Sequence, residues 1–332
     1  MRRFLLLLFL VVVVAAGALA YALLAPAGPR EETFVDISPG MSSTQIAAEL
    51  KQQGIIQSEY VFLALHVGKG GTLKAGEYRF DHPAPMIEVG DRIRRGDVDT
   101  VALTIPEGSN LFDIAAKVEA VGLGSKAAFI AAARQDTGLI SDLDPAAPSL
   151  EGYLFPDTYR FARHTDPQEM LAAMVKRFRL AALGIGLTTD VHRTVPLASL
   201  VEKETPIDAE RPVVASVFEN RLAKNIPLMT DPSVIYAALL DGRYRGTIYQ
   251  SDLQASSDYN TYRRAGLPPG PICNPGLKSL EAAMHPAQTN YLYFVAAGAD
   301  PAGQSRFSAT LEEHAKDVEA YRRAVRHAGQ PQ

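Results

Sequence analysis

One carboxylate is placed as a catalytic acid would be. Glu151 heads the stretch LEGYLFPDTYRF, 150–161, and is followed by Gly152 and by the run Tyr153, Leu154 and Phe155. A glutamate set against aromatic side chains and tight backbone is held partly out of water. Desolvation disfavours its charged form and raises its pKa, so the group can stay protonated and act as a general acid near neutral pH. The local residues equally allow a solvated loop glutamate or a helix cap. Other polar groups could serve beside it. Glu202-Lys203-Glu204-Thr205 is a dense charged turn after an apolar helical stretch, with Arg211 and Arg221 as possible ion-pair partners. Thr230 and Asp231 precede Pro232, a good helix start. The stretch YNTYRRAGLPPGPICNPGL, 259–277, is dense in Pro and Gly yet carries Asn260, Tyr262, Arg263 and Asn274. With few ladder bonds available, it is expected outside the core, either lining a site or held as a rigid structural loop. Aromatic faces cover the C–H face of a pyranose, and Asn or Asp pairs with hydroxyl and acetamido groups, so sugar suits such a lining.

Periodicity supplies the elements that must hold these groups. From Ser125 onward the pattern is mainly helical: 126–134, a long helix opened by Asp166 and Pro167, then 189–204 and 208–223. A strand is expected over 291–297 and an amphipathic helix over 310–327. Nearer the N-terminus, two segments match without gaps. ISPGMSSTQIAAELKQQG (37–54) aligns with IPEGSNLFDIAAKVEAVG (105–122), pairing Gly40 with Gly108, Ser42 with Asn110, Ile46 with Ile114 and Gly54 with Gly122. Each copy reads as a short strand, a Gly turn, a Ser or Asn N-cap and an amphipathic helix stopped by Gly. After the first copy, 58–67 predicts a second helix and 73–80 a returning strand. A β-α-α-β order of this kind resembles LysM, a module that binds N-acetylglucosamine polymers, and that resemblance implies a carbohydrate-facing role for residues 33–100. Residues 86–95 read as a further short helix.

Arg2 and Arg3 precede an uncharged run, 4–24, about as long as a bilayer-spanning helix requires. Basic residues before it place the N-terminus in the cytoplasm and the rest of the chain outside. The run exceeds a usual signal-peptide core and continues past Ala18-Leu19-Ala20, so a retained single-pass anchor is favoured over a cleaved leader. Residues 25–32 form a Pro/Gly and charged linker. Formal net charge is −4 with no basic stripe, which argues against nucleic acid. The single cysteine, Cys273, and seven histidines without ligand spacing predict no disulfide, no metal and no cofactor. The predicted fold class is α+β: a transmembrane helix (4–24) after a cytoplasmic N-terminus (1–3), a LysM-like subdomain (33–100) and a mainly helical catalytic domain with a few short strands (101–332).

Several separate motifs then converge on one family. LEGYLFPDTY, LASLVEKET, ERPVVASVFENRL, IPLMTDPSVIYAL, YNTYRRAGLPPGPICNPGLKSLEAAMHPA and YLYFVA occur in that order. The chain resembles the YceG-like family of endolytic murein transglycosylases over nearly its whole length. The resemblance implies a lyase that cuts the β-1,4 bond between N-acetylmuramic acid and N-acetylglucosamine in nascent glycan strands. It implies 1,6-anhydro ends, Glu151 as the catalytic carboxyl, and a periplasmic domain anchored in the inner membrane beside peptidoglycan synthases. Tyr153, Asp157, Glu202, Glu204, Asp231, Asn260, Tyr262 and Asn274 are the expected substrate contacts. Alternatives are a lysozyme-like hydrolase, with Asp157 or Glu202 as second carboxylate, and a non-catalytic glycan-binding scaffold. The chain departs from the family pattern at Gln304-Ser305-Arg306, where relatives often carry Gly-His, and at Ala315, where they often carry Asn.

Overall fold

The computed structural model describes residues 2–300 and 303–328. The chain forms two compact units. One comprises residues 1–101 with 160–164, and the other 102–159 with 165–332.

The first unit opens with α1 (Arg2–Leu24), which has no buried residue; only Ala22 and Leu23 near its end are half-buried. It is the one helix among the described residues long and apolar enough to cross a membrane, consistent with a single-pass anchor. A module follows: β1 (Thr33–Ile37), α2 (Ser43–Gln52), α3 (Glu59–Lys69) and β2 (Gly76–Phe80). β1 and β2 pair antiparallel, Thr33 opposite Phe80 and Ile37 opposite Gly76. Alternation turns Val35, Ile37, Tyr78 and Phe80 inward, against Ile46, Ala47 and Leu50 of α2 and Phe62 of α3. The helix α4 (Met86–Arg95) closes this core with Met86, Val89 and Ile93.

Another module of the same order follows, all of it in the second unit except Val101, Arg160 and Phe161: β3 (Val101–Thr104), α5 (Leu111–Ala120), α6 (Lys126–Gln135) and β4 (Thr158–Phe161), with β3 paired to β4. The sequence reading stopped the second copy at its first helix. Its return strand carries the same tripeptide as the first, Tyr78-Arg79-Phe80 against Tyr159-Arg160-Phe161. In each, the tyrosine hydroxyl donates to the carbonyl four residues earlier, Lys74 and Phe155. The connection from second helix to return strand is short in the first copy, 70–75. In the second it is extended, 136–157, and includes Glu151.

Beyond β4 the unit is helical: α7 (Pro167–Gly184), α8 (Val191–Glu204), α9 (Arg211–Ala223), α10 (Asp231–Leu240), α11 (Gln250–Leu253) and α12 (Leu277–Met284). The hairpin β5 (Tyr293–Ala296) and β6 (Ser305–Ser308) and the last helix, α13 (Leu311–Ala328), complete it. α8 is buried continuously from Thr194 to Val201, although Pro196 removes one of its backbone donors.

Candidate active site

Glu151 lies at the N-terminus of α5. A helix start leaves amides without intrahelical partners and carries partial positive charge. Asn110 caps α5: its side-chain oxygen accepts from the amides of Phe112 at 2.9 Å and Asp113 at 3.0 Å, while Asp113 accepts the Asn110 amide in return. That leaves the Leu111 amide, which donates to Glu151 Oε2 at 2.7 Å. The Asn274 amide nitrogen donates to Glu151 Oε1 at 2.9 Å, and the Tyr236 hydroxyl lies close enough to act on the carboxyl's pKa as a hydrogen-bonding neighbour.

Glu151 is only 1% exposed. Burial pushes its pKa up to about 8, and the Asp113 charge adds to the rise, while the bonds from Leu111, Tyr236 and the Gly152 amide pull it down. Desolvation wins over the three donors, so the carboxyl is mainly protonated at neutral pH. A neutral carboxyl has one O–H to donate. The Leu111 amide and the Asn274 NH2 are donors only, so Tyr236, whose oxygen can accept, is its natural partner. Tyr236 stands in an aromatic group with Phe112, 6.2 Å away edge-on, and Tyr259, 5.1 Å away. Both of those rings are half-exposed.

The loop before α12 holds this arrangement. The sequence expectation that 259–277 stays outside the core is corrected for its second half, since 270–276 is buried throughout. Its polar backbone is satisfied by partners other than a ladder. The Ile272 amide donates to Ser199 Oγ at 3.0 Å, the Asn274 amide to the Ser109 carbonyl at 2.9 Å, and the Gly276 amide to Glu202 Oε2 at 2.9 Å. Asn274 itself ties three segments together. Its NH2 reaches Ser109 and Glu151, and its carbonyl oxygen accepts the Leu154 amide at 2.8 Å. Gly152 has φ 87°, and a Cβ there would lie 2.3 Å from Pro271 Cγ and 2.9 Å from Val195 Cγ1. Only glycine fits between this loop and α8.

A model of the YceG-like family matches residues 35–320. The chain belongs to the YceG-like family. This YceG-like chain is 35% identical to the endolytic murein transglycosylase of Bacillus subtilis, over 92% of its own length and 90% of that protein's. It is 30% identical to the Streptococcus pneumoniae endolytic murein transglycosylase, covering 88% of this chain and 59% of that longer protein. A crystal structure of a YceG-like protein from Listeria monocytogenes is 32% identical, with a TM-score of 0.56, over 87% of this chain and 99% of that one.

Within this YceG-like fold, the residues expected from sequence fall into separate places. Asn274 is on Glu151. Tyr153 follows it but points inward: it is fully buried, its hydroxyl donates to Asp144, and Asp144 also pairs with His192 at 3.0 Å. Asp157 is exposed and paired with Arg177 at 2.7 Å, which holds its carboxyl below the usual carboxylate range. Glu202 is bound to Arg211 at 2.7 Å and to the Gly276 amide, so it anchors the loop that carries Asn274. Asn260 is fully buried, with its NH2 on the carbonyls of Asp252, Leu253 and Ala255 and its oxygen on the Tyr262 amide. Glu204, Asp231 and Tyr262 gather at a separate cavity. Sequence reading did not single out Leu111, Tyr236, Tyr259 or Phe112. The repeat register already placed Leu111 at a helix start. Tyr236 had a weaker signal, five residues into the helix that Asp231 opens.

Proposed function

We propose that the protein is an endolytic lytic transglycosylase of murein, with Glu151 as its single acid and base. The observation that carries this reading is a fully buried carboxyl, its pKa pushed up by that burial, held at a helix N-terminus by donors that also favour its anion. Such a group is poised to give a proton and then to be stabilised without it.

On this reading the Glu151 proton passes to the glycosidic oxygen as the bond from C1 of the muramic residue breaks with oxocarbenium character. The Leu111 amide, the Asn274 NH2 and the Tyr236 hydroxyl then hold the carboxylate. It takes the proton from the C6 hydroxyl of the same muramic ring as that oxygen bonds to C1. A 1,6-anhydro ring forms, the leaving sugar keeps its new 4-hydroxyl, no water is consumed, and Glu151 ends protonated. Because Glu151 is almost fully covered, substrate entry requires that cover to open, and the half-exposed rings of Phe112 and Tyr259 beside Tyr236 would then offer faces to sugar.

The names of the two transglycosylase relatives support the substrate class. Arg2 and Arg3 at the start of α1 support an anchor in the inner membrane with the catalytic unit on the periplasmic side, beside membrane-bound synthases. There the cut would terminate elongation of nascent strands. The test is mass spectrometry of products from uncrosslinked glycan strands treated with full-length protein in detergent, beside a folded Glu151→Gln control. Internal anhydro-muramic ends that vanish in the control are expected. Reducing ends would assign a hydrolase, and unchanged cleavage by Glu151→Gln would remove Glu151 from the reaction.

A further inference from the structure

Arg134, in the last turn of α6, is tied to the surroundings of Glu151 in three ways. The Leu150 amide donates to the Ala133 carbonyl at 2.9 Å, so Arg134 and Glu151 each stand one residue beyond the same hydrogen bond. The Arg134 guanidinium lies 6.0 Å from the centre of the Phe112 ring, and Phe112 follows Leu111, whose amide holds Glu151. Its charge also reaches the Tyr236 hydroxyl. Burial and the Glu151 charge raise the pKa of Tyr236, and Arg134 opposes them. One cation therefore stands at the rim of the candidate active site.

That cation is uncommitted. Arg134 is exposed and forms no hydrogen bond or ion pair with any described residue. Other arginines of this protein that lie over aromatic rings are engaged further. Arg177 lies 4.9 Å from the Phe155 ring and binds Asp157 at 2.7 Å. Arg163 lies 5.3 Å from the Phe34 ring and binds Glu77 at 3.0 Å. An aromatic face supports the guanidinium, and its N–H edge then suits a planar acceptor, above all a carboxylate received by two parallel bonds. Arg134 has the ring without the carboxylate. Glu151 is not that partner, because it is buried and held by Leu111 and Asn274. Asp113, whose charge acts on Glu151, accepts the Asn110 amide instead.

We infer that Arg134 is a specificity-determining residue that receives a carboxylate of the sugar whose C1 faces Glu151. On the murein reading above, on which the identity of this acid rests, it is borne by the 3-O-lactyl arm of the muramic residue. The acid is the lactyl carboxyl itself where no peptide is attached, or a carboxyl of the attached stem peptide. That arm leaves the same ring that presents C1 and the C6 hydroxyl to Glu151, and N-acetylglucosamine has no such arm. Its capture by Arg134 sets the register of the strand, so that a muramic C1 and not a glucosamine C1 meets the acid.

The test uses full-length Glu151→Gln protein in detergent, titrated calorimetrically with two pairs of muramyl tetrasaccharides. One pair carries the free lactyl acid or its methylamide. The other carries an L-alanyl-D-glutamate arm or its diamide. In one pair the acid is expected to bind at least about fivefold more tightly than its neutral twin, the scale of a charge-assisted bond at an exposed rim, and that pair identifies the source. Adding Arg134→Gln should erase the preference and leave affinity for the neutral strands unchanged. Arg134→Lys should keep part of it, by charge without the planar fork. Equal melting temperatures would confirm the fold of these variants. Equal affinities within both pairs, a preference that survives Arg134→Gln, or no binding of any strand at millimolar concentration overturns the inference. Product analysis decides the transglycosylase reading separately: anhydro ends from the wild type without an acid preference would sink the role of Arg134 alone.

Discussion

The two β-α-α-β modules share a plan and differ in one connection. Both first helices carry a capping box, Ser42 with Gln45 and Asn110 with Asp113. Both end at a glycine of positive φ, Gly54 at 72° and Gly122 at 76°. Both return strands repeat Tyr-Arg-Phe with the same local tyrosine bond. In the first module the amide at the helix start, Ser43, has no carboxylate partner among the described residues. In the second, the extended connection 136–157 brings Glu151 to the matching amide, Leu111. The same scaffold thus occurs once with the carboxyl and once without it. Any capped helix start offers a site for an anion, but only a loop long enough to return a carboxyl there, and a cover that keeps water away, converts it into an acid.

The largest effect is expected from Glu151→Gln. General acid–base catalysis is worth about 10²–10⁴ in rate, and on the proposed mechanism one group serves both steps, so glycan cleavage should fall by at least about a thousandfold. The wild-type rate should decline as pH rises through about 8, where the buried acid loses its proton. Stability follows the same sign. A carboxyl whose folded pKa is raised from 4.5 to about 8 stabilises the fold at pH 4, and that contribution is lost as pH climbs to 8. Wild type should therefore lose stability relative to Glu151→Gln between pH 5 and 8, by a few kcal/mol at about 1.4 per unit. Parallel denaturation curves across that range would contradict a buried acid at 151. No counterpart of this pH dependence should arise from the first module.

Backbone substitutions sharpen the contrast. Gly152→Ala forces a Cβ into Pro271 at a left-handed φ, and should cost about 3 kcal/mol or more with loss of activity. Gly54→Ala meets nothing within 4 Å, and should cost only about 1 kcal/mol, the price of the φ alone. Urea denaturation of both variants measures the difference. Similar losses would mean that the cover over Glu151 is looser than the packing indicates. Asn274→Ala should come next, at about 2–3 kcal/mol and roughly a hundredfold in rate, because it unties Ser109, Leu154 and Glu151 together.

Much of this was legible in the residues. Helix starts, Gly stops and the register of the duplicated segments follow from local chemistry, and the structure places caps at Ser42 and Asn110 as expected. The second return strand escaped notice because the long connection broke the fixed offset, although Tyr-Arg-Phe was there to be matched. Burial of 270–276 was misjudged for a physical reason. Proline and glycine imply too few ladder bonds for a core, but Ser199, Ser109 and Glu202 satisfy that backbone from outside the segment. Membership of a motif also says nothing of direction. Tyr153 and Asp157 both follow Glu151 closely in sequence, yet Asp157 faces solvent beside Arg177 and Tyr153 is buried on Asp144. Tyr236 reaches Glu151 through tertiary packing, which no local pattern encodes.

The smallest expected effect is the most discriminating between the modules. Ser42→Ala and Asn110→Ala each remove an N-cap and should each cost about 1 kcal/mol in a thermal or chemical melt. Only Asn110→Ala should reach the reaction. Without its cap the first turn of α5 frays, and the Leu111 amide holds Glu151 less firmly. That bond lowers the Glu151 pKa, so weakening it should raise the pKa and move the alkaline limb of the pH–rate profile upward. The rate should also fall several-fold, because the carboxylate formed in the first step is less well stabilised. Ser42→Ala should leave the limb where it is. A limb that stays fixed in Asn110→Ala, at equal loss of stability in the two variants, would separate the helix start from the acid and reduce the shared plan of the modules to architecture.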